Sequence, residues 1–376
     1  MREQENAADL RGYDMRTIYR RRRDRVRMAM DAAGLDALLV SHAANRFYLS
    51  GFELHDGQPG ESAGMIVITR SGRDWLATDD RFAETAAALW DENHIYLYGG
   101  KRGRTIANLL PQCGYLVGFE TQAVSDYFIR ALSERCGSRV QFVPTLGIID
   151  KFRMIKEPCE VAALERSYAL NHAMLRWLRE RLESGCLTGM SEKQLAWQVE
   201  SFFRENGASE LAFPVIAASG KNGATPHAVP GSAQVLADSP LLVDVGCRLD
   251  SYCSDQTRTW WNGQNPGADF SRCLALVQEA QARAIAMIRP GVRCADVYKA
   301  ANDVFEEAGV AHAFTHGLGH GVGLETHEAP SLSPKSDAVL LQGMTVTVEP
   351  GLYYPEWGGV RWEHTVLVEA DGARVL

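Results

Sequence analysis

Two aspartates in the stretch LLVDVGCRLDSYCSDQTRTWW, residues 241–261, have a spacing suited to binding a cation together. Asp244 interrupts an apolar run typical of a buried strand, and Asp255 lies in a second extended run. Turn-forming residues at 248–251 separate the runs, so a hairpin would place the two carboxylates opposite each other, with Cβ atoms about 5 Å apart. Because paired carboxylates in an apolar sheet repel each other and resist desolvation, we expect a divalent cation between them.

Three later segments supply further side chains that could bind metal or act in catalysis. The first, HGLGHGVGLETHE, concentrates three histidines among glycines, which let the backbone approach a ligand closely. The second and third, TVTVEPG and VRWEHTVLV, are strand-like, and each presents a glutamate on a face shared with other polar side chains. A single histidine or glutamate on a half-buried strand more often forms a structural hydrogen bond than a functional site. The candidates they contribute are His316, His320, His327, Glu349, Arg361 and Glu363.

The combined donor set indicates a two-metal centre. Two aspartates, two glutamates and an imidazole form an oxygen-rich site that suits Mn²⁺, Co²⁺ or Fe²⁺, and less specifically Zn²⁺. Four carboxylates carry more negative charge than one divalent ion neutralises. Two ions about 3.5–4 Å apart can share a hydroxide nucleophile at neutral pH.

Length and composition indicate a two-domain globular protein. The 376 residues exceed the size of one ordinary core. A net charge of -8 argues against a nucleic-acid partner, and no apolar run approaches the ~20 residues of a membrane span. The eight cysteines contain no CxxC pair and the N-terminus shows no secretory signal, which favours reduced thiols and a cytoplasmic location. No nucleotide-binding fingerprint is found, so no organic cofactor is expected.

Hydrophobic periodicity predicts an α/β domain in the first 150 residues. Its first element should be an amphipathic helix that ends at Gly34 and carries a solvated basic face. Strands and helices then alternate, which is typical of a self-contained α/β unit. The predicted strands are 37–41, 47–52, 65–69, 95–100, 115–120 and 140–144, and the predicted helices are 81–90 and 123–136.

The remainder of the chain is predicted to be a second domain that contains all the candidate site residues. It should begin with a long amphipathic helix whose first turn contains Pro158. Three more helices are predicted at 191–206, 269–287 and 294–308, and two further strands at 344–351 and 360–368.

The order of the motifs DVG…SDxTRT, HGLGHGVGLETHE, TVEPGLY and GGVRWEH resembles the metallopeptidase family of aminopeptidase P, prolidase and methionine aminopeptidase, with its pita-bread fold. The segments RMIKEPCEVAAL (153–164) and TDDRF (78–82) are similar to the two-domain members. The resemblance therefore implies an α/β (α+β) chain with a creatinase-like N-terminal domain at 1–155 and a pita-bread catalytic domain at 156–376. It also implies a homodimer.

The resemblance assigns five metal ligands. Asp244 would chelate one metal ion, while Asp255 and Glu363 would bridge both ions. His320 and Glu349 would bind the other ion. Mn²⁺ or Co²⁺ fits this set best, with Zn²⁺ or Fe²⁺ as alternatives.

The resemblance also assigns catalytic roles around these ligands. Glu349 would take the proton from the water between the metals as general base, and His227 would contact the substrate near the scissile bond. His327 would stabilise the tetrahedral intermediate or pass a proton to the leaving nitrogen. His316 and Arg361 match positions beside the ligands or in a proline pocket. The implied reaction is hydroxide attack on the carbonyl after the first residue of a peptide, preferably ahead of proline.

Three residues depart from the family pattern and leave alternatives open. Ser331 replaces the arginine with which prolidase-like members can pair the free carboxylate of a dipeptide, which favours an aminopeptidase over an Xaa-Pro dipeptidase. His364 follows Glu363 as in creatinase, so a creatinase-like hydrolase or lyase acting on a small non-peptide C–N bond is a second alternative. Thr326 stands where a valine is common and leaves the strength of the proline preference open. A non-catalytic partner-binding protein is a third alternative, disfavoured because all five ligand positions are filled.

Overall fold

The computed structural model describes residues 12–56, 61–99 and 102–376, with side chains of 102–105 excepted. The chain separates into two compact units, Met1–Arg153 and Met154–Leu376. Both units combine helices with sheets, which agrees with the expected α/β class. Along the described parts of the chain, every helix is too short or too polar to cross a membrane.

The first unit is built on one six-stranded mixed sheet with the strand order β4-β3-β2-β1-β5-β6. Its most buried strand, β1, consists of four apolar residues and pairs antiparallel with β2 and parallel with β5. The strands are β1 Ala37–Val40, β2 Gly64–Thr69, β3 Trp75–Thr78, β4 Ile95–Leu97, β5 Leu116–Glu120 and β6 Gln141–Thr145. The helices are α1 Met15–Ala32, α2 Ala43–Ser50, α3 Ala83–Leu89, α4 Arg102–Cys113, α5 Asp126–Cys136 and α6 Asp150–Arg153.

Helix α1 forms as predicted, but its basic face is not simply solvated. Arg22 is buried and donates a hydrogen bond to the carbonyl of Tyr48 at 2.9 Å. Arg23 and Arg27 both donate to the carboxylate of Asp74, at 3.1 and 2.7 Å. The arginines therefore tie the helix to its own unit, and their positive charge is largely compensated there.

The largest error in the first unit concerns residues 47–52, which were predicted as a strand and lie mostly in helix α2. The carboxylate of Glu120 accepts hydrogen bonds from the amides of Ser41 and His42, at 2.6 and 2.7 Å, just before the helix begins. Gly51 ends the helix with a left-handed φ of 75°. A carboxylate from a distant strand thus caps a segment whose local sequence favours extension. Strand β3 and helix α4 were not predicted, and residue 100 of the strand predicted over 95–100 lies outside the described residues.

The second unit carries four long helices and thirteen short strands among its residues. The helices are α7 Pro158–Glu183, α8 Glu192–Glu205, α9 Ala268–Met287 and α10 Cys294–Glu307, close to the predicted bounds. The strands are β7 Glu210–Leu211, β8 Ile216–Ser219, β9 Ser239–Val245, β10 Cys247–Leu249, β11 Tyr252–Cys253, β12 Gln256–Asn262, β13 Gly319–Gly321, β14 Glu328–Leu332, β15 Thr345–Val348, β16 Gly351–Tyr354, β17 Gly358–Arg361, β18 His364–Val368 and β19 Ala373–Val375.

Two sheets of the second unit position the candidate site. One has the order β12-β9-β8, and the other has the order β14-β13-β15-β18-β19. Helices α7 and α8 pack their apolar side chains with those of β9 in one core, while α9 and α10 pack with β15 and β18 in another. The strands that carry the candidate ligands are therefore held between helical layers.

The two C-terminal runs that were predicted as single strands are each divided. Residues 344–351 contain β15 and the start of β16, with Glu349 and Pro350 between them. Residues 360–368 contain the end of β17 and all of β18, separated by Trp362 and Glu363. The amide of Glu363 donates to Thr257 O of β12 at 3.2 Å, so the chain leaves one sheet pairing and enters another at that residue.

Candidate metal centre

Asp244 and Asp255 are brought together by a hairpin whose register differs by two residues from the predicted one. Asp244 in β9 lies opposite Thr257 in β12, so Asp255 is its diagonal neighbour and not its direct partner. The turn residues are Asp250 and Ser251, with φ values of 48° and 72°. Two consecutive left-handed residues give the tight turn that antiparallel strands favour. The turn therefore lies one residue later than the midpoint of the two aspartates.

Glu363 joins the two aspartates in a buried cluster. One carboxylate oxygen from each of Asp244, Asp255 and Glu363 lies within 4.8 Å of the others. Burial, with repulsion from Glu363 and Asp244, raises the pKa of Asp255 well above its ordinary value. Burial, with repulsion from Glu349 and Asp244, likewise raises the pKa of Glu363. Buried carboxylates that lie together repel each other and resist ionisation, so a cation between them would stabilise their charged forms.

His320 and Glu349 complete the cluster. His320 Nε2 lies 3.2 Å from Glu349 Oε1 and 3.6 Å from Asp255 Oδ2. His320 Nδ1 donates to the carbonyl of Gly321 at 3.1 Å, which leaves Nε2 as the atom that faces the carboxylates. Although burial opposes its protonation, hydrogen bonding and charge from Glu349 raise the pKa of His320 to about 9. Although burial also opposes ionisation of Glu349, its contacts with His320 lower its pKa to about 2.

The donor chemistry of this cluster fits divalent metal ions. Asp244 Oδ1 and Glu363 Oε1 are buried and have no hydrogen-bond donor among the described residues. A buried carboxylate oxygen without a donor is costly, and a cation removes that cost. Four carboxylates and one imidazole, with the imidazole oriented through its other nitrogen by a backbone carbonyl, are ligands typical of protein metal sites.

Arg361 links the cluster to a chain of hydrogen bonds that ends at His316. Its Nη2 donates to Asp244 Oδ2 at 2.7 Å, and its Nη1 donates to Tyr353 Oη at 2.8 Å. His316 Nδ1 lies 2.7 Å from Gly317 O, an acceptor, so Nδ1 carries the hydrogen. His316 Nε2 then accepts from Tyr353 Oη at 2.8 Å. Burial lowers the pKa of His316, which agrees with this neutral tautomer.

Thr257 contacts the cluster as well, and it was not singled out from the sequence. Its hydroxyl donates to Glu363 Oε2 at 2.9 Å and accepts from Arg361 Nε at 2.9 Å. Strand alternation from Asp255 would have found it, because every second residue of a strand shares a face. Arg361 thus reaches two carboxylates, one directly and one through a threonine.

Four members of the cluster, Asp244, Asp255, His320 and Glu349, line a cavity of about 830 Å³ within the second unit. His227, His316 and His327 line the same cavity, so all the candidate catalytic residues are brought to one place. The rings of His327 and His320 have centroids 4.2 Å apart, and burial, with the charge of His320, lowers the pKa of His327. The apolar part of the lining, also missed from the sequence, is formed by Phe213, Pro214, Val215, Ile216, Pro226, Ala228, Val229 and Pro230.

Two of the residues that depart from the family pattern lie on the cavity wall. Ser331 lines it and is the direct register partner of His320 across the β13–β14 pair. Thr326 also lines it, and its hydroxyl donates to Ala212 O at 3.0 Å. By contrast, Trp362 and His364 do not line the cavity; the guanidinium of Arg258 lies over the Trp362 ring and its Nη2 is 3.4 Å from His364 Nδ1.

A buried cluster of carboxylates and one imidazole at the wall of a large cavity is the arrangement expected of a metal-dependent active site. Residues 162–370 match Metallopeptidase family M24, and residues 22–155 match the Creatinase/Prolidase N-terminal domain. The chain belongs to metallopeptidase family M24. The family and fold class inferred from the motifs are confirmed, as is the prediction of a metallo-hydrolase, and members of the family use divalent metal ions.

Relatives with known names or structures extend over nearly the whole chain. The Xaa-Pro dipeptidase of Pyrococcus horikoshii is 31% identical over 348 residues, which cover 92% of this chain and 94% of the relative. The structure of the Xaa-Pro dipeptidase from Bacillus anthracis is 32% identical, with a TM-score of 0.87 and coverage of 95% and 97%. That of the X-Pro aminopeptidase from Thermotoga maritima is 28% identical, with a TM-score of 0.80 and coverage of 91% and 95%.

Proposed function

We propose that this chain is an aminopeptidase that removes the first residue of peptides with proline at the second position. The cavity at the cluster carries the proposal. Among the described residues that line it, Arg361 is the one with a guanidinium or ammonium group, and it is already bound to Asp244 and Tyr353. The free carboxylate of a dipeptide would lack a cationic partner there, whereas a longer peptide has no carboxylate at that point.

We propose that the five clustered residues hold two divalent metal ions. Asp244, Asp255 and Glu363 would contribute at one side, and His320 and Glu349 at the other, with Asp255 and Glu363 shared. Four carboxylates support two ions, and a set dominated by carboxylate oxygens with one imidazole suits Mn²⁺ or Co²⁺, with Zn²⁺ or Fe²⁺ as alternatives. When bound, the ions supply the Lewis acidity that lowers the pKa of water and polarises the scissile carbonyl.

The remaining chemistry belongs to side chains of the cavity. Glu349, which lies beside His320 at the cavity wall, would accept the proton of the attacking water. His327 would donate a hydrogen bond to the developing oxyanion or, after taking up the proton removed from the water, pass it to the leaving nitrogen. His227 contacts the substrate beside the scissile bond. Arg361 holds the candidate ligand Asp244 directly, and His316 is linked to Arg361 through Tyr353. Both would border the proline pocket.

The second candidate is an Xaa-Pro dipeptidase, and the names of the relatives from Pyrococcus horikoshii and Bacillus anthracis favour it. It differs from the first candidate in how the C-terminal side of the substrate is bound. Ser331, opposite His320, supplies no charge for a dipeptide carboxylate, which is why we place the aminopeptidase first.

A kinetic comparison separates the candidates. The chelated protein is reloaded with Mn²⁺, Co²⁺ or Zn²⁺ and assayed on matched Xaa-Pro, Xaa-Pro-Yaa and Xaa-Ala-Yaa substrates. If the protein is an aminopeptidase, kcat/KM should be highest on Xaa-Pro-Yaa, and elemental analysis should find about two metal ions per chain. A higher kcat/KM on Xaa-Pro establishes the dipeptidase instead. Inertness on all three substrates with both metal ions bound overturns both, and metal-restored activity in Asp255→Ala overturns the ligand set.

We further propose that the functional boundary lies at residues 155 and 156, that the protein forms a homodimer, and that it acts in the cytoplasm. The dimer is supported by the family resemblance, and sedimentation velocity tests it.

All eight cysteines are free thiols, which suits a reducing compartment such as the cytoplasm. The peptide substrate is the partner that the cavity supports, and the net charge of -8 gives no support to nucleic acid.

A further inference from the structure

The carboxylate of Glu192 holds both ends of the loop that carries His227. Glu192 is the first residue of α8, and its Oε1 accepts hydrogen bonds from the amide of Ser219 and from Asn222 Nδ2, both at 2.9 Å. Its Oε2 accepts from the amide of Gly231 at 3.3 Å. One side chain thus contacts the start, the first turn and the end of residues 219–231, and His227 lies between these contacts.

Burial of the Glu192 carboxylate is compensated by the loop that carries His227 and by the start of α8. Glu192 is 1% exposed and has no cationic side-chain partner among the described residues. Burial of a carboxylate without a counter-ion is costly, and here three donors and the N-terminus of α8 compensate it. All three donors belong to the same loop, so the compensation also fixes that loop.

Other hydrogen bonds hold the ends of the loop, while the cavity segment is held mainly by a turn from Thr225 to Ala228 and by packing of Ala228 against the apolar cluster that includes Tyr353. The amide of Glu192 donates to Ala233 O at 2.8 Å, and the amide of Lys193 donates to Gly231 O at 3.0 Å. In the middle of the loop, Arg361 Nη1 donates to Pro226 O at 3.2 Å. His227 itself is exposed and has no hydrogen-bond partner among the described residues. Its position is therefore set by the anchors of the loop.

We propose that Glu192 is a positioning residue for His227. The proposal rests on the proposed function, in which His227 contacts the substrate. Glu192 touches neither the cavity nor the candidate ligands; it acts by setting where the loop places the His227 imidazole. Glutamine at position 192 keeps the shape of the side chain but replaces one carboxylate oxygen with an NH₂ group. That group cannot accept from a backbone amide, so at least one of the hydrogen bonds to the loop is lost.

A double-mutant cycle with substrate kinetics tests the coupling. Glu192→Gln should lower kcat/KM for Xaa-Pro-Yaa roughly 10- to 100-fold, because a small displacement of a substrate-contacting group is costly in rate. Metal content per chain should stay at the wild-type value. In a His227→Ala background, the same change should lower kcat/KM less than about 2-fold, since the group being positioned is gone. Equal losses in both backgrounds would overturn the proposal.

Hydrogen–deuterium exchange supplies a readout that does not need activity. Peptides spanning 216–231 should exchange faster in Glu192→Gln than in wild type, both metal-loaded, with no change in peptides from α7. Unchanged exchange in 216–231 would show that Glu192 does not hold the loop in place, whatever the substrate is. Inertness of the wild type on peptides would instead count against the proposed function.

Two further variants guard against misfolding and indirect effects. Asn222→Ala removes one anchor from an exposed side chain without creating a buried cavity, and it should reproduce a smaller part of both effects. Glu200→Gln on the same helix removes a surface pair with Arg204 and should change neither exchange nor kcat/KM. If Glu192→Gln fails to fold and Asn222→Ala leaves both readouts unchanged, the proposal is wrong.

Discussion

Arg361 Nη2 lies 2.7 Å from Asp244 Oδ2, and the two residues form an ion pair with exposed fractions of only 2% and 8%. Arg361 is the arginine that this structure places against the carboxylate cluster, on the side of Asp244, while His320 lies beside Asp255 and Glu349. Its guanidinium also binds Thr257 and Tyr353, so none of its three nitrogens is without a partner. The stability of the centre in the absence of metal therefore depends on this arginine.

Arg361→Met should destabilise the metal-free protein much more than the metal-loaded one. Without metal, removal of one partner leaves the buried charge of Asp244 uncompensated, at a cost of about 3–5 kcal/mol. Bound divalent ions neutralise that charge in part, so the loss in the free energy of unfolding should be smaller. Chemical denaturation with chelator and with Mn²⁺ measures both values. Arg258 donates hydrogen bonds to backbone oxygens and to no carboxylate of the described residues, so Arg258→Met is the control. Equal losses in the free energy of unfolding for Arg361→Met with and without metal would contradict the prediction.

Thr257→Val should weaken metal binding while Thr259→Val should not. The hydroxyl of Thr257 donates to Glu363 Oε2, and removal of such a contact to a ligand lowers metal affinity about 10- to 100-fold. Thr259 is equally buried on the same strand, but its hydroxyl contacts only the backbone of Arg361. Metal titration by calorimetry on both variants makes the comparison. A similar loss of affinity in both would show that strand integrity matters and the Thr257 hydroxyl does not.

Ser331→Arg should shift the substrate preference toward dipeptides. Position 331 lies directly opposite His320 across the strand pair, so a guanidinium there would reach the cavity beside the metal centre. A charge-assisted hydrogen bond to the dipeptide carboxylate should raise the Xaa-Pro to Xaa-Pro-Yaa ratio of kcat/KM roughly 10- to 100-fold. Ser331→Gln adds similar length without charge and should leave the ratio near the wild-type value. A shift of equal size in the glutamine variant would refute the electrostatic explanation.

His364→Asn should make stability less dependent on pH in the acid range. Burial, with the charges of Arg258 and His172, lowers the pKa of His364 from 6.5 to about 4. The unfolded chain therefore takes up this proton at a higher pH than the folded chain, so the free energy of unfolding is retained above pH 6.5 and lost as the pH falls toward 4. Denaturation of metal-free protein across this range should show a shallower decline in His364→Asn. The exposed His312→Asn should parallel wild type, and a parallel curve for His364→Asn would contradict the prediction.

Much of the centre was predictable from the sequence because strand periodicity and residue chemistry act locally. An aspartate in an apolar strand, or a glutamate on the polar face of TVTVEPG, signals a buried function without knowledge of the fold. The structure brings Asp244, Asp255, Glu349 and Glu363 together with His320, which the family resemblance had selected among the three histidines. Their roles as metal ligands stay predictions until metal binding is measured.

The errors arise where distant contacts decide local structure. Helix α2 forms at 43–50 because Glu120, from a strand some seventy residues away in sequence, accepts the amides before it. The register of the central hairpin follows from left-handed turn residues at 250 and 251, which are neither glycine nor asparagine. Glu192 gave no signal in the sequence, because its partners are backbone amides of a remote loop.

The five candidate ligands all lie on strands or within one residue of a strand end, whereas His227 lies in a loop outside the regular structure. The proposed metal binding and the proposed substrate contact thus lie in parts of the fold with different tolerance to mutation. Insertions or deletions between 224 and 230 would alter the reach of His227 while the sheets around the ligands keep their register. A library that varies loop length there is a direct route to new peptide specificities on an unchanged metal centre, and the same freedom offers natural selection a way to diversify substrates without rebuilding the catalyst.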